Sequence, residues 1–129
     1  MEKLFGNKFI EIWYDQENHW IYSKWQDYQT MESIQSGGEA LVQHLKEKSC
    51  SKILNDNILV KGTWTFAADW TTNVWFPQIV QAGLKQFAWV YSPDIFSRFS
   101  SEKAIKNNPG QIVRYFHSLE DGKKWLHAA

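Results

Sequence analysis

A single cysteine, Cys50, stands in this 129-residue chain. One cysteine closes no internal disulfide, which fits a reducing compartment. Net charge is also missing, since fourteen basic residues balance fourteen acidic ones. That balance argues against a dedicated nucleic-acid binder, whose affinity comes largely from neutralising phosphates. It argues equally against a polybasic membrane-surface module. No apolar run approaches the roughly 18 residues of a membrane span. The first eight residues are broken by charge, so no signal peptide and a cytoplasmic location are expected.

Catalytic and cofactor motifs are absent too. The chain has no G-x-G-x-x-G, no G-x-x-x-x-G-K-[ST], no G-x-S-x-G and no C-x-x-C. His19, His44, His117 and His127 show no metal-ligand spacing. Cys50 lies past a helix end, away from a dipole that would lower its pKa. Asp15 and Glu17 read as solvated turn residues. Asp69 reads as a helix cap. Asp56 ends a strand, where open α/β sheets place ligands, yet an Asp in a turn usually bonds its own backbone. No cofactor, no metal and no catalytic residue are expected.

Aromatic residues are abundant: eight Trp, five Tyr and eight Phe, 16% of the chain. Large rings dominate cores but are also enriched at interfaces. The length suits one domain, expected over 1–129, with a core that needs neither disulfide nor metal.

Residues 8–14 and 19–25 are β-branched and aromatic, joined by the polar turn Asp15-Gln16-Glu17-Asn18, and predict a hairpin. Residues 31–48 predict a helix through Ile34, Leu41 and Leu45, capped by Thr30. Gly37 and Gly38 inside it require either a close backbone approach or a restart at Ser36, which has S-x-x-E spacing with Glu39. Residues 52–55 predict a short strand ending in an Asp56-Asn57 turn. A helix is expected from Trp70, with a kink or fresh turn at Pro77 and Gly83 as a left-handed C′ residue. Residues 86–91 are almost continuously apolar, which signals burial on both faces of a sheet and places Trp89 in the core. Ser92-Pro93 is expected to open a further helix. Asn107-Asn108-Pro109-Gly110 predicts a turn, 112–117 a last strand and Ser118 the cap of a last helix. Strands alternating with helices predict an α/β fold with a mostly parallel sheet, an antiparallel N-terminal hairpin and crossover helices.

Taken in order, these pieces resemble the bacterial SpoIIAA-like, STAS-type family, close to its CRAL-TRIO-like branch. They are the hairpin ending at Ser23-Lys24-Trp25, the stretch Lys52-Ile53-Leu54-Asn55-Asp56-Asn57 and the Trp-rich helix Asp69 to Lys85. Phe87-Ala88-Trp89-Val90-Tyr91 with Ser92-Pro93-Asp94-Ile95-Phe96 follows, and Tyr115-Phe116-His117-Ser118 with Lys124-Trp125-Leu126 closes the chain. The resemblance implies a regulatory, partner-binding domain, and its CRAL-TRIO-like branch implies a lipid-like ligand. Some STAS switches are controlled by phosphorylation of a serine in the neighbourhood that corresponds here to Leu54-Asn55-Asp56-Asn57-Ile58, where this chain has no hydroxyl. The expectation is therefore a non-catalytic interaction module that binds a protein or a second copy of itself. The alternative is a binder of a small apolar or lipid-like ligand that uses the aromatic segment 64–76. Asp56, Asn57, Trp64, Phe66, Trp75 and Phe76 are the candidate surface. On a regular helix, Trp70 and Val74 share the sheet-facing side and Trp75 and Phe76 point outward.

Overall fold

A computed structural model describes residues 1–105 and 111–128. Six strands form one mixed sheet in sequence order: β1 (Glu2–Gly6), β2 (Ile10–Asp15), β3 (Trp20–Tyr28), β4 (Lys52–Lys61), β5 (Gln86–Val90) and β6 (Val113–Phe116). β1, β2 and β3 pair antiparallel, while β3, β4, β5 and β6 pair parallel. The expected hairpin is β2–β3. In front of it the segment Glu2-Lys3-Leu4-Phe5-Gly6, charged at its first two residues, adds an edge strand that sequence patterning did not predict. Charge on a short edge strand is a common guard against edge-to-edge association.

Helix α1 (Met31–Glu47) follows β3. Its N-terminus is closed by a reciprocal box: Ser33 N donates to Thr30 Oγ1 at 3.0 Å and Thr30 N to Ser33 Oγ at 2.8 Å. Ile34, Leu41 and Leu45 face the core as expected. There is no restart at Ser36. The two glycines make room for side chains instead of backbone. A β-carbon at Gly37 would lie 2.6 Å from Trp25 Cη2, and one at Gly38 would lie 2.8 Å from Trp75 Cδ1.

Strand β4 is ten residues long, and Asp56-Asn57 lies inside it. From Lys24↔Asp56 to Gln26↔Leu59, β3 advances two residues and β4 three. This extra residue is a bulge, which bends the strand and re-aims its side chains. A chain of helical turns follows: a 3₁₀ turn (Thr65–Ala67), α2 (Ala68–Trp70), a π-helical turn (Thr71–Trp75) and α3 (Phe76–Gln81). Asp69 lies within α2, and the residue at its N-cap is Ala67 instead. Pro77 sits in the first turn of α3, where its missing N–H costs no hydrogen bond. Gly83 has φ +118°, as its C′ role requires.

Helix α4 (Ile95–Ala104) is capped by Asp94, not by Ser92-Pro93. Asp94 Oδ1 accepts from Phe96 N at 2.9 Å and Oδ2 from Gly62 N at 2.8 Å. These backbone donors, Gly62 foremost, hold its carboxyl below the usual carboxylate range. Ser92 instead donates to Val60 O at 2.7 Å, tying the β5 end to β4. Helix α5 (Leu119–Ala128) is the last element described, and Ser118 Oγ accepts from Asp121 N at 3.2 Å. The expected turn at 107–110 lies outside the described residues.

The helices divide between the two sheet faces. α1, the 65–81 run and α4 cover a large apolar face that includes Ile12, Ile53, Phe87 and Trp89. α5 covers a smaller one with Trp20, Leu54, Ala88, Val90 and Leu126. Alternate residues of β5 thus enter different cores, which explains its unbroken apolar sequence. No helix among the described residues is long and apolar enough to cross a membrane.

Candidate functional site

On the larger face lies a cavity of about 50 Å³, half open to solvent. Its floor is the sheet: Trp25 from β3, Asn55 and Asn57 from β4, Phe87 and Trp89 from β5. Its roof is α1, through Ile34, Gly38 and Leu41, and the irregular run, through Trp64, Trp70, Thr71 and Trp75. Five of the chain's eight Trp residues therefore meet here.

The π turn is what gathers them. Hydrogen bonds from i to i+5 bring residues five apart close together on one side of the coil. Trp70 and Trp75 are such a pair, and both press on Gly38, whose absent β-carbon would lie 3.1 Å from Trp70 Cη2. The regular-helix expectation is thereby reversed. Trp75 and Phe76 are buried, Val74 is 41% exposed and Trp70 is half-buried. Trp75 Nε1 donates to Gly38 O at 2.8 Å, which anchors the run to α1. Trp64 stacks on Trp89 at 5.9 Å, and Trp89 on Tyr115 at 5.6 Å.

A second gathering device is the amide pair of β4. Period two puts Ile53, Asn55 and Asn57 on the cavity side, and Leu54 and Asp56 on the other. Asn55 Oδ1 accepts from Ser23 Oγ at 2.7 Å and from Trp25 Nε1 at 2.9 Å. An indole N–H can only donate, so it fixes which end of the Asn55 amide is oxygen. Asn55 Nδ2 then donates to Asn57 Oδ1 at 3.1 Å.

The six residues expected to form one surface do not stay together. Asn57, Trp64 and Trp75 reach the cavity. Phe76 is core beside it. Phe66 is 53% exposed, outside the lining. Asp56 lies on the opposite face, where Tyr22 Oη donates to its Oδ2 at 2.5 Å and Ile58 N to its Oδ1 at 2.9 Å. Burial and the Asp56 hydrogen bond push the Tyr22 hydroxyl pKa up. With both oxygens engaged, Asp56 acts as a brace between β3 and the bulge. Trp25, Asn55 and Trp70 were not among the six; the alternate positions of β4 and the five-residue Trp70–Trp75 spacing are the signals that mark them.

Cys50 and His19 form the one thiol–imidazole contact among the described residues, at 3.9 Å. His19 Nε2 is bonded to Ser49 O at 3.2 Å, so in the neutral ring it carries the hydrogen and Nδ1 accepts from Tyr14 Oη at 2.7 Å. Burial pushes the Cys50 thiol pKa up. The imidazole lone pair is taken and the sulfur is buried, so this pair is a poor nucleophile. Among the described residues no three His, Cys, Asp or Glu side chains cluster as metal ligands. Comparison with family models, with curated proteins and with solved structures finds no match to this chain.

Proposed function

We propose that this domain is a non-catalytic binding module that takes one end of a small apolar ligand into the Trp-walled cavity. The observation that carries this reading is the convergence of five Trp residues from β3, β5 and the 64–75 run on a partly open void. Packed cores hold few voids larger than a water molecule, and an apolar void is a place where apolar molecules bind. Room for only a few water-sized bodies means that a ring edge or chain end enters while the rest lies at the mouth. The strand and helix order is also what the STAS-type resemblance implies, and the ligand agrees with its CRAL-TRIO-like branch.

The test is uptake of cyclopentene, a ring without polar atoms. Wild type should gain melting temperature with cyclopentene concentration, because a ligand that binds only the folded state stabilises it by mass action. Ile34→Phe, which fills the void from α1, should lose that gain whatever its own melting temperature. An equal cyclopentene response in both proteins contradicts the proposal.

A different surface favours a second reading, an interaction module. Helix α4 is amphipathic in the unusual sense. It buries Ser97, Ser100, Ser101 and Ala104, while Ile95, Phe96 and Phe99 are 72%, 66% and 54% exposed. Exposed apolar patches mark interaction sites. In this reading α4 receives a protein partner or a second copy of the chain. Sedimentation velocity that shows concentration-dependent association, abolished by Phe96→Ser, supports self-association. A monomer at all concentrations removes that form of it.

A further inference from the structure

Hydrogen-bond accounting at the cavity wall narrows the ligand's chemistry. The amide oxygens there already accept hydrogen bonds from the protein. Asn55 Oδ1 serves Ser23 and Trp25, Asn57 Oδ1 serves Asn55, and Gln29 Oε1 accepts from Ser33 Oγ at 2.8 Å. Two indole donors are satisfied, Trp25 on Asn55 and Trp75 on Gly38. Trp64 Nε1 and Trp89 Nε1 are buried with no partner among the described residues, although their rings are only 5% and 4% exposed. The Asn57 amide is oriented by the Trp25–Asn55–Asn57 chain through its Oδ1, which makes its Nδ2 a third donor of the wall. The buried side-chain groups of the wall that have no hydrogen bond at all among the described residues are thus indole donors.

An orphaned buried donor is costly and calls for a partner. No Lys, Arg, Asp or Glu among the described residues lines the cavity, so a charged ligand would enter uncompensated. A cation would gain from the indole faces, but no carboxylate among the described residues lines the cavity to meet it. We infer that the cavity's ligand is a neutral molecule with an apolar body that inserts a hydrogen-bond-accepting oxygen, such as a ketone, aldehyde or ether, towards Trp64, Trp89 and Asn57. This rests on the cavity reading above and specifies its ligand class.

The experiment compares cyclopentanone with methylenecyclopentane, which has the same shape but no oxygen, and with tetramethylammonium. Binding is followed through the indole N–H signals of ¹⁵N-labelled wild-type protein. Cyclopentanone should bind about tenfold more tightly than methylenecyclopentane, the worth of one net hydrogen bond. It should also move the Trp64 or Trp89 indole proton downfield. Trp64→Phe, which deletes one donor, and Asn57→Leu, which deletes another, should each shrink the preference; wild type alone already decides the matter if a variant fails to fold. Equal affinity for the ketone and the alkene overturns the acceptor inference and leaves the cavity reading standing. Preference for tetramethylammonium also overturns it. Binding of none of the three overturns the cavity reading itself.

Discussion

Trp89→Ala should lower the unfolding free energy by about 3–5 kcal/mol, the usual cost of deleting a large buried ring. Trp89 is 4% exposed and lies on β5, an inner strand between β4 and β6. Its indole stacks between Trp64 and Tyr115 and meets Phe87 edge-on at 5.4 Å. Removing it takes one partner from each of those three rings and merges the new space with the existing cavity. A domain of this size has only about 5–15 kcal/mol in total, so the variant should be poorly soluble or unfold at much lower denaturant. Chemical denaturation is the measurement. A midpoint within error of wild type would mean that the stack does not form.

Asn55→Leu is the second large effect. Leucine has nearly the same shape, so packing alone predicts little change. The hydrogen bonds predict otherwise. Three buried groups lose their partner at once: Ser23 Oγ, Trp25 Nε1 and Asn57 Oδ1. Each stranded group costs about 1–3 kcal/mol. A total of about 3 kcal/mol or more is expected, because Ser23 can turn its hydroxyl and relieve part of the loss. The double variant Asn55→Leu with Trp25→Phe also removes the stranded indole N–H. It should therefore be less destabilised than the sum of the single variants, by about 1 kcal/mol or more of coupling. Additive losses would contradict the Asn55–Trp25 bond.

These two residues also show how far the sequence could be read. Trp89 was legible, because an apolar run flanked by helical segments signals a strand buried on both sides. The α/β class, the hairpin, the Thr30 cap and the Gly83 turn were legible for the same reason: each rests on local spacing or on a single residue's backbone preference. Asn55 was not. Asn55-Asp56-Asn57 carries the composition of a turn, and only tertiary partners turn it into strand. Ser23 and Trp25 satisfy Asn55, Tyr22 satisfies Asp56, and the bulge absorbs the extra residue. The segment 64–76 was legible as unusual but not in its geometry. Projection at 100° per residue separates Trp70 from Trp75, whereas the π turn brings both onto Gly38. A π turn has no composition of its own, and the five-residue Trp70–Trp75 spacing and Gly38 of α1 were the traces it left in the sequence. The candidate surface accordingly broke apart, with Asp56 moving to the α5 face and Phe66 to the outside.

The placement of a ligand among the five cavity Trp residues is tested most directly by the eight indole N–H signals in a ¹H–¹⁵N spectrum, titrated with cyclopentene. Three Trp residues, Trp13, Trp20 and Trp125, lie outside the cavity lining. Cyclopentene should shift the signals of Trp25, Trp64, Trp70, Trp75 and Trp89 together along one saturating curve and leave those three unmoved. Shifts centred on Trp13, Trp20 or Trp125, or no saturable shift at any indole, would contradict a ligand-binding cavity at this site.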